Sequence, residues 1–207
     1  KIGLTSKAMQ SALNIDTPDS GVLLDDMAFD SGATIPADRF IQPRIEAELA
    51  FVMKAPLGGT DTSLGDVLAA TDYVIPALEI LDTRIVRVDP ETKAARTIVD
   101  TISDNAANAG IVTGGRRVKP GEVDLRWCGA IVSRNGEVEE TGLGAGVLND
   151  PAMGIVWLAN RLALYGQRIE AGQIVLSGSF IRPVEARHGD RIVADFGPLG
   201  HVSCQFA

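Results

Sequence analysis

The chain has 207 residues, enough for one compact domain with a sizeable buried core. It is 45% hydrophobic and 22% charged, which argues against a disordered segment. Nineteen basic against 27 acidic side chains leave a net charge of −8, a poor match to nucleic acid or an anionic membrane, since both call for clustered positive charge.

Lys1-Ile2-Gly3-Leu4 reads as ordered strand, and because the first residue is Lys and not Met, a truncated start is expected. Residues 44–53 alternate, with Ile45, Ala47, Leu49 and Phe51 on one face and Glu46, Glu48, Ala50 and Val52 on the other. Residues 63–70 read as a short helix with Thr62 or Ser63 as N-cap and Asp66 in its first turn. Residues 73–81 form an apolar run interrupted by Pro76 and Glu79. Residues 127–138 predict a hairpin whose turn is Asn135-Gly136, a pair suited to positive φ angles. The best helix runs over 151–165: Asp150 caps it, Pro151 fits its first turn, Ile155, Leu158, Ala159 and Leu162 form a stripe, and Gly166 ends it. Strands follow at 173–176, 190–196 and 200–206. Strands outnumber helices without the regular alternation of a parallel sheet, so the fold class expected is a strand-rich α+β domain with curved, antiparallel sheets, covering 1–207 as one unit.

No apolar run approaches the roughly 20 residues that span a bilayer, so a soluble protein is expected. Cys128 and Cys204 lie far apart with no CxxC. A disulfide framework or thiolate zinc site is improbable on that pattern, and a reducing, cytoplasmic interior is the default. With only His188 and His201, imidazole metal sites lack raw material. The glycine-rich stretch 142–146 lacks the last glycine and the strand–turn–helix setting of a dinucleotide loop. Ser103-Asp104-Asn105 has no accompanying SxxK, and no GxSxG elbow surrounds Ser177.

The carboxylates carry more. Glu46 and Glu48 are two apart on a strand and so project from one face about 7 Å apart. That face continues with Ala50 and Val52, which points to burial. Glu79 sits inside an apolar run, where an unpaired ionised carboxylate would cost several kcal/mol or take up a proton. Two readings stay open on residues alone: arginine partners in an inert β module, or three carboxylates around a hard divalent cation with oxygen ligands.

The segments Pro43-Arg44-Ile45-Glu46-Ala47-Glu48, Tyr73-Val74-Ile75-Pro76-Ala77-Leu78-Glu79 and Asp104-Asn105-Ala106 resemble the fumarylacetoacetate hydrolase superfamily. The opening residues 1–7, Asp16-Thr17-Pro18-Asp19-Ser20-Gly21, the insert Asp89-Pro90-Glu91-Thr92, the run 100–110 and Gly178-Ser179-Phe180 are similar to its hydratase and decarboxylase branch. The resemblance covers essentially the whole chain. It implies a mixed β-roll in which Glu46, Glu48 and Glu79 hold Mg²⁺ or Mn²⁺, and a homo-oligomer. It also implies a helical N-terminal segment that is absent from these residues.

The activity it implies is hydration of a 2-oxo-4-enoate or its 2-hydroxydienoate tautomer in aromatic meta-cleavage catabolism, with 2-oxohept-4-ene-1,7-dioate of homoprotocatechuate breakdown as the expected substrate. Lys1 and Asp19 match the branch's acid–base positions, although an Asp in such a segment is ordinarily a turn former. Ser177 and Ser179 stand as donors to the substrate carboxylate, or as a plain turn after a strand. Asp104 and Asn105 read as turn caps rather than braces of the metal shell. Arg44, Arg84 and Arg182 are the candidates for a distal carboxylate. A decarboxylase acting on 4-oxalocrotonate-type diacids is the alternative within the branch. The C–C hydrolases of the superfamily form another branch, which uses a histidine soon after the first strand, and this chain has none before His188.

Overall fold

The computed structural model describes residues 1–13, 15–36 and 38–207. In chain order the elements are β1 (Ile2–Gly3), α1 (Lys7–Leu13), β2 (Asp19–Ser20), β3 (Ala28–Asp30), β4 (Ala33–Ile35), β5 (Arg44–Met53), α2 (Leu64–Ala70), β6 (Thr71–Leu81), α3 (Ile98–Ser103), β7 (Asn108–Thr113), β8 (Gly129–Arg134), β9 (Glu137–Leu143), α4 (Pro151–Ala163), β10 (Ile174–Leu176), β11 (Val184–Glu185), β12 (Arg191–Asp195) and β13 (His201–Phe206). Strands dominate, as expected.

Two sheets make the frame. One runs β10-β5-β6-β7-β3, with β11 pairing the other end of β5, and the second runs β4-β13-β12-β8-β9. Most pairs are antiparallel, but β3–β7 and β4–β13 are parallel, which departs from the antiparallel sheets read from the strand pattern and agrees with the mixed roll that the resemblance implies. The reason lies in residues 28–35, where three-residue strands flank a turn at Ser31-Gly32 and enter different sheets. Strands that short have no periodicity to read. The turn is tied to both sides: Ser31 N donates to Thr113 O at 3.0 Å, Gly32 N donates to Ser203 O at 2.7 Å, and Ser203 N donates to Ser31 Oγ at 3.0 Å.

β5 and β6 are the spine. Their register sets Ile45 opposite Ile80, Glu46 opposite Glu79, Ala47 opposite Leu78 and Glu48 opposite Ala77. Ile45, Ala47, Leu49, Phe51, Leu78 and Ile80 are completely buried in the main core, alongside Val132, Ala194 and Val202 of the second sheet. A fully buried side chain of this size contributes about 1.5–3 kcal/mol.

β6 passes straight through Pro76, which interrupts the apolar run but not the strand. Pro76 O accepts from Gly114 N at 3.2 Å. On that side β7 ends its pairing at Thr113, so the missing N–H costs no ladder bond.

The helices follow their caps. Ser63, not Thr62, caps α2 in a capping box with Asp66, and Asp150 Oδ1 accepts from Ala152 N at 2.9 Å to start α4. α4 buries Ile155, Leu158 and Ala159. The β8–β9 turn has positive φ at both Asn135 and Gly136, as that pair predicts. Helices α1 and α3 were not anticipated, although Thr97 and Asp100 form a capping box at the start of α3. No helix among the described residues is long and apolar enough to cross a membrane.

Candidate active site

The face of β5–β6 turned away from the main core carries the acids. Because Glu46 pairs directly with Glu79 and Glu48 lies two residues further along β5, strand alternation delivers all three carboxylates to one spot. A ligand oxygen from each lies within 4.8 Å of the others. Glu48 and Glu79 are completely buried, while Glu46 lines a cavity of about 310 Å³.

Each buried acid is held on one oxygen only. Gly178 N donates to Glu48 Oε2 at 2.7 Å, and Asn108 Nδ2 donates to Glu79 Oε1 at 3.1 Å. Glu48 Oε1 and Glu79 Oε2 are buried without a hydrogen-bond partner among the described residues. An orphaned carboxylate oxygen deep in a protein is costly, and a pair of them beside a third acid fits a hard divalent cation with oxygen ligands. Without one, burial and then the Glu79 charge push Glu46 up to about 8, and burial, Glu79 and Glu46 hold Glu48 well above the carboxylate range.

Lys1 reaches the same cluster. Its Nζ contacts Glu79 Oε1 at 3.0 Å and donates to Ala106 O at 2.8 Å. Burial alone would lower its pKa, but Glu79, Asp19 and Glu46 together raise it, so the side chain is held cationic. The acceptor carbonyl belongs to an unusual turn: Asn105, Ala106 and Ala107 all have positive φ, at a cost of roughly 1–2 kcal/mol for each non-glycine residue. Neighbours lock the turn. Asn105 Nδ2 donates to Val22 O and its Oδ1 accepts from Val22 N, at 2.9 and 2.7 Å, and Asp82 N donates to Ala107 O at 2.8 Å.

Asp19 is no turn former. It stands in β2 opposite Gly3 of β1, buried, with Oδ1 lacking a hydrogen-bond partner. Burial raises its pKa against the pull of Lys1. Gly3 is required for this approach, since a side chain there would overlap Asp19 Oδ1.

The cavity therefore unites Lys1, Asp19, Glu46 and Ser179. Ser179 Oγ is engaged locally, donating to Ile181 O at 2.8 Å and accepting from Ile181 N at 3.2 Å. Ser177 is completely buried with an unpartnered hydroxyl and lies outside the cavity lining. Asp104 spends its carboxylate on Arg84, at 2.7 Å to Nε and 2.8 Å to the backbone N, so it ties two distant loops together and, against the cap reading, makes no side-chain cap of the turn that follows it. Asn108 and the Gly178 N–H were missed. Both act through what they are buried against, and residue type gives no sign of that.

Fold and site together define the class: a strand-rich enzyme whose three convergent glutamates can hold a divalent cation beside a buried lysine and aspartate. No family model matches the chain. Individual relatives do. The chain is 61% identical over 206 residues to 2-oxo-hept-4-ene-1,7-dioate hydratase of Escherichia coli, covering 100% of this chain and 77% of that one. It superposes with a TM-score of 0.91, at 39% identity and covering 76% of the other chain, on 4-oxalocrotonate decarboxylase from Pseudomonas putida G7 complexed with magnesium and adipate. Fumarylpyruvate hydrolase from Pseudomonas aeruginosa shares the fold at a TM-score of 0.76 and 12% identity, with the chain covering 87% of it. The chain belongs to the fumarylacetoacetate hydrolase superfamily, in its hydratase and decarboxylase branch.

Proposed function

We propose that the protein is a magnesium- or manganese-dependent hydratase that adds water across the 4,5 double bond of 2-oxohept-4-ene-1,7-dioate to give 4-hydroxy-2-oxoheptane-1,7-dioate. The observation that carries this reading is the geometry of Glu46, Glu48 and Glu79, three acids whose free oxygens converge beside a cationic lysine and a protonatable aspartate. The 61% identity to a hydratase of that substrate supports the choice within the branch. A bound divalent cation supplies Lewis acidity to a chelated 2-oxo acid head group.

The chain's own residues do the rest. Gly178 N–H and Asn108 Nδ2 fix one oxygen each of Glu48 and Glu79, leaving the opposite oxygens for the cation. The Lys1 ammonium places positive charge where the substrate carboxylate and enolate oxygen gather electron density. Asp19 Oδ1 is assigned as the atom that holds the moving proton. Its raised affinity for protons suits delivery to a substrate carbon and recovery from the attacking water, so that one water is added overall. Ser179 is assigned to the edge of the head-group site. Ser177 is assigned to shaping the same loop, with its hydroxyl as a reserve donor.

The protein is further inferred to act as one domain over 1–207 in a cytoplasmic homo-oligomer. Its two cysteines are buried free thiols, which suits a reducing compartment. The outer face of β8–β9 exposes Ile131, Val138 and Leu143, with Trp127 beside it, an apolar surface of the kind subunits cover. Sedimentation showing only monomer at micromolar concentration would remove the oligomer.

The activity test is turnover in H₂¹⁸O with Mg²⁺. Label is expected on the new 4-hydroxyl, distinguished by fragmentation from exchange into the 2-oxo group. Release of CO₂ from 4-oxalocrotonate with no new hydroxyl on either substrate would instead assign the decarboxylase.

A further inference from the structure

The cavity that holds Asp19 and Glu46 also gathers cations. Arg44, Arg87 and Arg96 all line it. Arg44 precedes Glu46 by two residues on β5, so both side chains leave the same face of the strand about 7 Å apart. Arg87 and Arg96 come from the foot of a small hairpin. Val88 and Ala95 bridge antiparallel, and Arg96 N donates to Arg87 O at 2.9 Å, which sets the two arginines opposite one another. Asp89 ties the hairpin's tip, its Oδ1 accepting from Glu91 N and Thr92 N at 2.8 and 2.7 Å.

These cations are poorly neutralised. Arg87 Nε is buried and has no hydrogen-bond partner, and burial, then Arg44 and Arg96, depress its pKa. Arg96 Nη1 donates to the neutral Thr83 hydroxyl at 2.5 Å. Among the described residues Arg44 has only a long contact, 3.5 Å, with exposed Glu185. Asp82, the acid in the same wall, adds counter-charge at a distance but forms no ion pair with the three among the described residues, its two oxygens accepting from Ile41 N and Gln42 N at 2.8 Å. Three guanidinium groups converging with so little counter-charge make a site for an anion, and their planar forks match a carboxylate.

The other arginines suggested by the sequence are used elsewhere. Arg84 is taken up by Asp104 and by the carbonyls of Asp104 and Asn108. Arg182 pairs with Glu140 on the surface.

We propose that Arg44, Arg87 and Arg96 form the subsite for the distal carboxylate of a dicarboxylic substrate whose 2-oxo acid head lies at the glutamate end. This deepens the hydratase reading and rests on its placement of the head group. It also gives the hairpin at 88–95 a purpose: it mounts two arginines that select diacids over 2-oxo acids with a neutral tail. A tail without charge leaves the guanidinium groups unpaired in a partly desolvated wall.

The test is calorimetric binding of two saturated probes, 2-oxoheptanedioate and 2-oxoheptanoate, to the full chain loaded with Mg²⁺. Wild type should prefer the diacid by about 10- to 100-fold, the worth of one or two charge-assisted hydrogen bonds. Arg44 and Arg87 also border a second cavity beside Phe40 and His188, so Arg96→Gln is the sharper variant. It and Arg87→Gln should bring the ratio down toward one, while Arg182→Gln should keep it. If Arg87→Gln fails to fold, Arg87→Lys, which retains charge but loses the fork, should still reduce the ratio. Equal wild-type affinity for the two probes, or an unchanged ratio in the Arg96 and Arg87 variants, overturns the subsite. A protein that prefers the diacid yet adds no ¹⁸O-labelled hydroxyl keeps the subsite and loses the hydratase reading. One that hydrates without preference does the reverse.

Discussion

The two faces of β5–β6 share one hydrogen-bond ladder and have opposite chemistries. On one face Ile45, Leu49, Phe51, Leu78 and Ile80 are wholly buried among apolar neighbours, where every contact favours the folded chain. On the other, Glu46, Glu48 and Glu79 crowd together, with a small apolar patch of Ala50, Ile75, Ala77, Ile111 and Leu176 beyond them. The first face supplies stability and the second consumes it. A rigid ladder is what lets three mutually repelling acids stay in place, and side chains one residue apart on a strand can therefore be probed for separate effects.

The largest separation should come from Glu79→Gln. The change keeps size, removes a ligand charge and breaks the 3.0 Å pair with Lys1, so metal affinity by calorimetry and turnover should collapse together, with activity at the limit of detection. Turnover without measurable metal loss would show that the acidic face does not work as a unit. Asp19→Asn should lower kcat by about 10²–10⁴-fold, the usual share of a proton-transferring group, while leaving metal affinity unchanged. An Asp19→Asn protein as active as wild type would remove the acid–base assignment and leave the metal site intact.

On the apolar face, Leu49→Ala should cost about 2–5 kcal/mol in denaturant unfolding while per-molecule metal affinity of the folded protein is retained. Coupled loss of both would mean that the two faces are not separable. Asn108→Ala should weaken metal affinity by roughly 10- to 100-fold, the usual cost of losing a group that orients a ligand, with a smaller effect on folding. Finally, a chelator should lower the melting temperature by several degrees and added Mg²⁺ should restore it, because a ligand that binds only the folded state stabilises it and its removal leaves Glu46 and Glu48 facing Glu79. Superimposable melts with chelator and with Mg²⁺ would contradict a cation shared among the three.

Much of this contrast was legible in the sequence. The alternation over 44–53 assigned the faces of β5 correctly, and the strong caps at Asp150 and Ser63 placed α4 and α2. Glu79 stood out because a charge in an apolar run demands a reason. What stayed hidden depends on contact between distant segments. Asn108 looks like any polar residue until β7 lays it against Glu79. Arg87 and Arg96 are neighbours only through a hairpin with a single bridged pair, too short for any periodic signal, whereas Arg84 and Arg182 looked equally eligible and are bound elsewhere. That Pro76 sits in β6 without losing a ladder bond depends on where the next strand stops, which local sequence does not encode.

The segment at 28–35 has a consequence for how the molecule comes apart. Its two short strands belong to different sheets, and the Ser31-Gly32 turn between them is tied to Thr113 on one side and Ser203 on the other. The segment works as a clasp across the seam. Neither sheet can peel away while it is closed, and once it opens both sheets lose an edge strand together. The roll should therefore behave as a single cooperative unit in hydrogen exchange, with the slowest amides of β6 and β13 exchanging at a common rate although they lie in separate sheets.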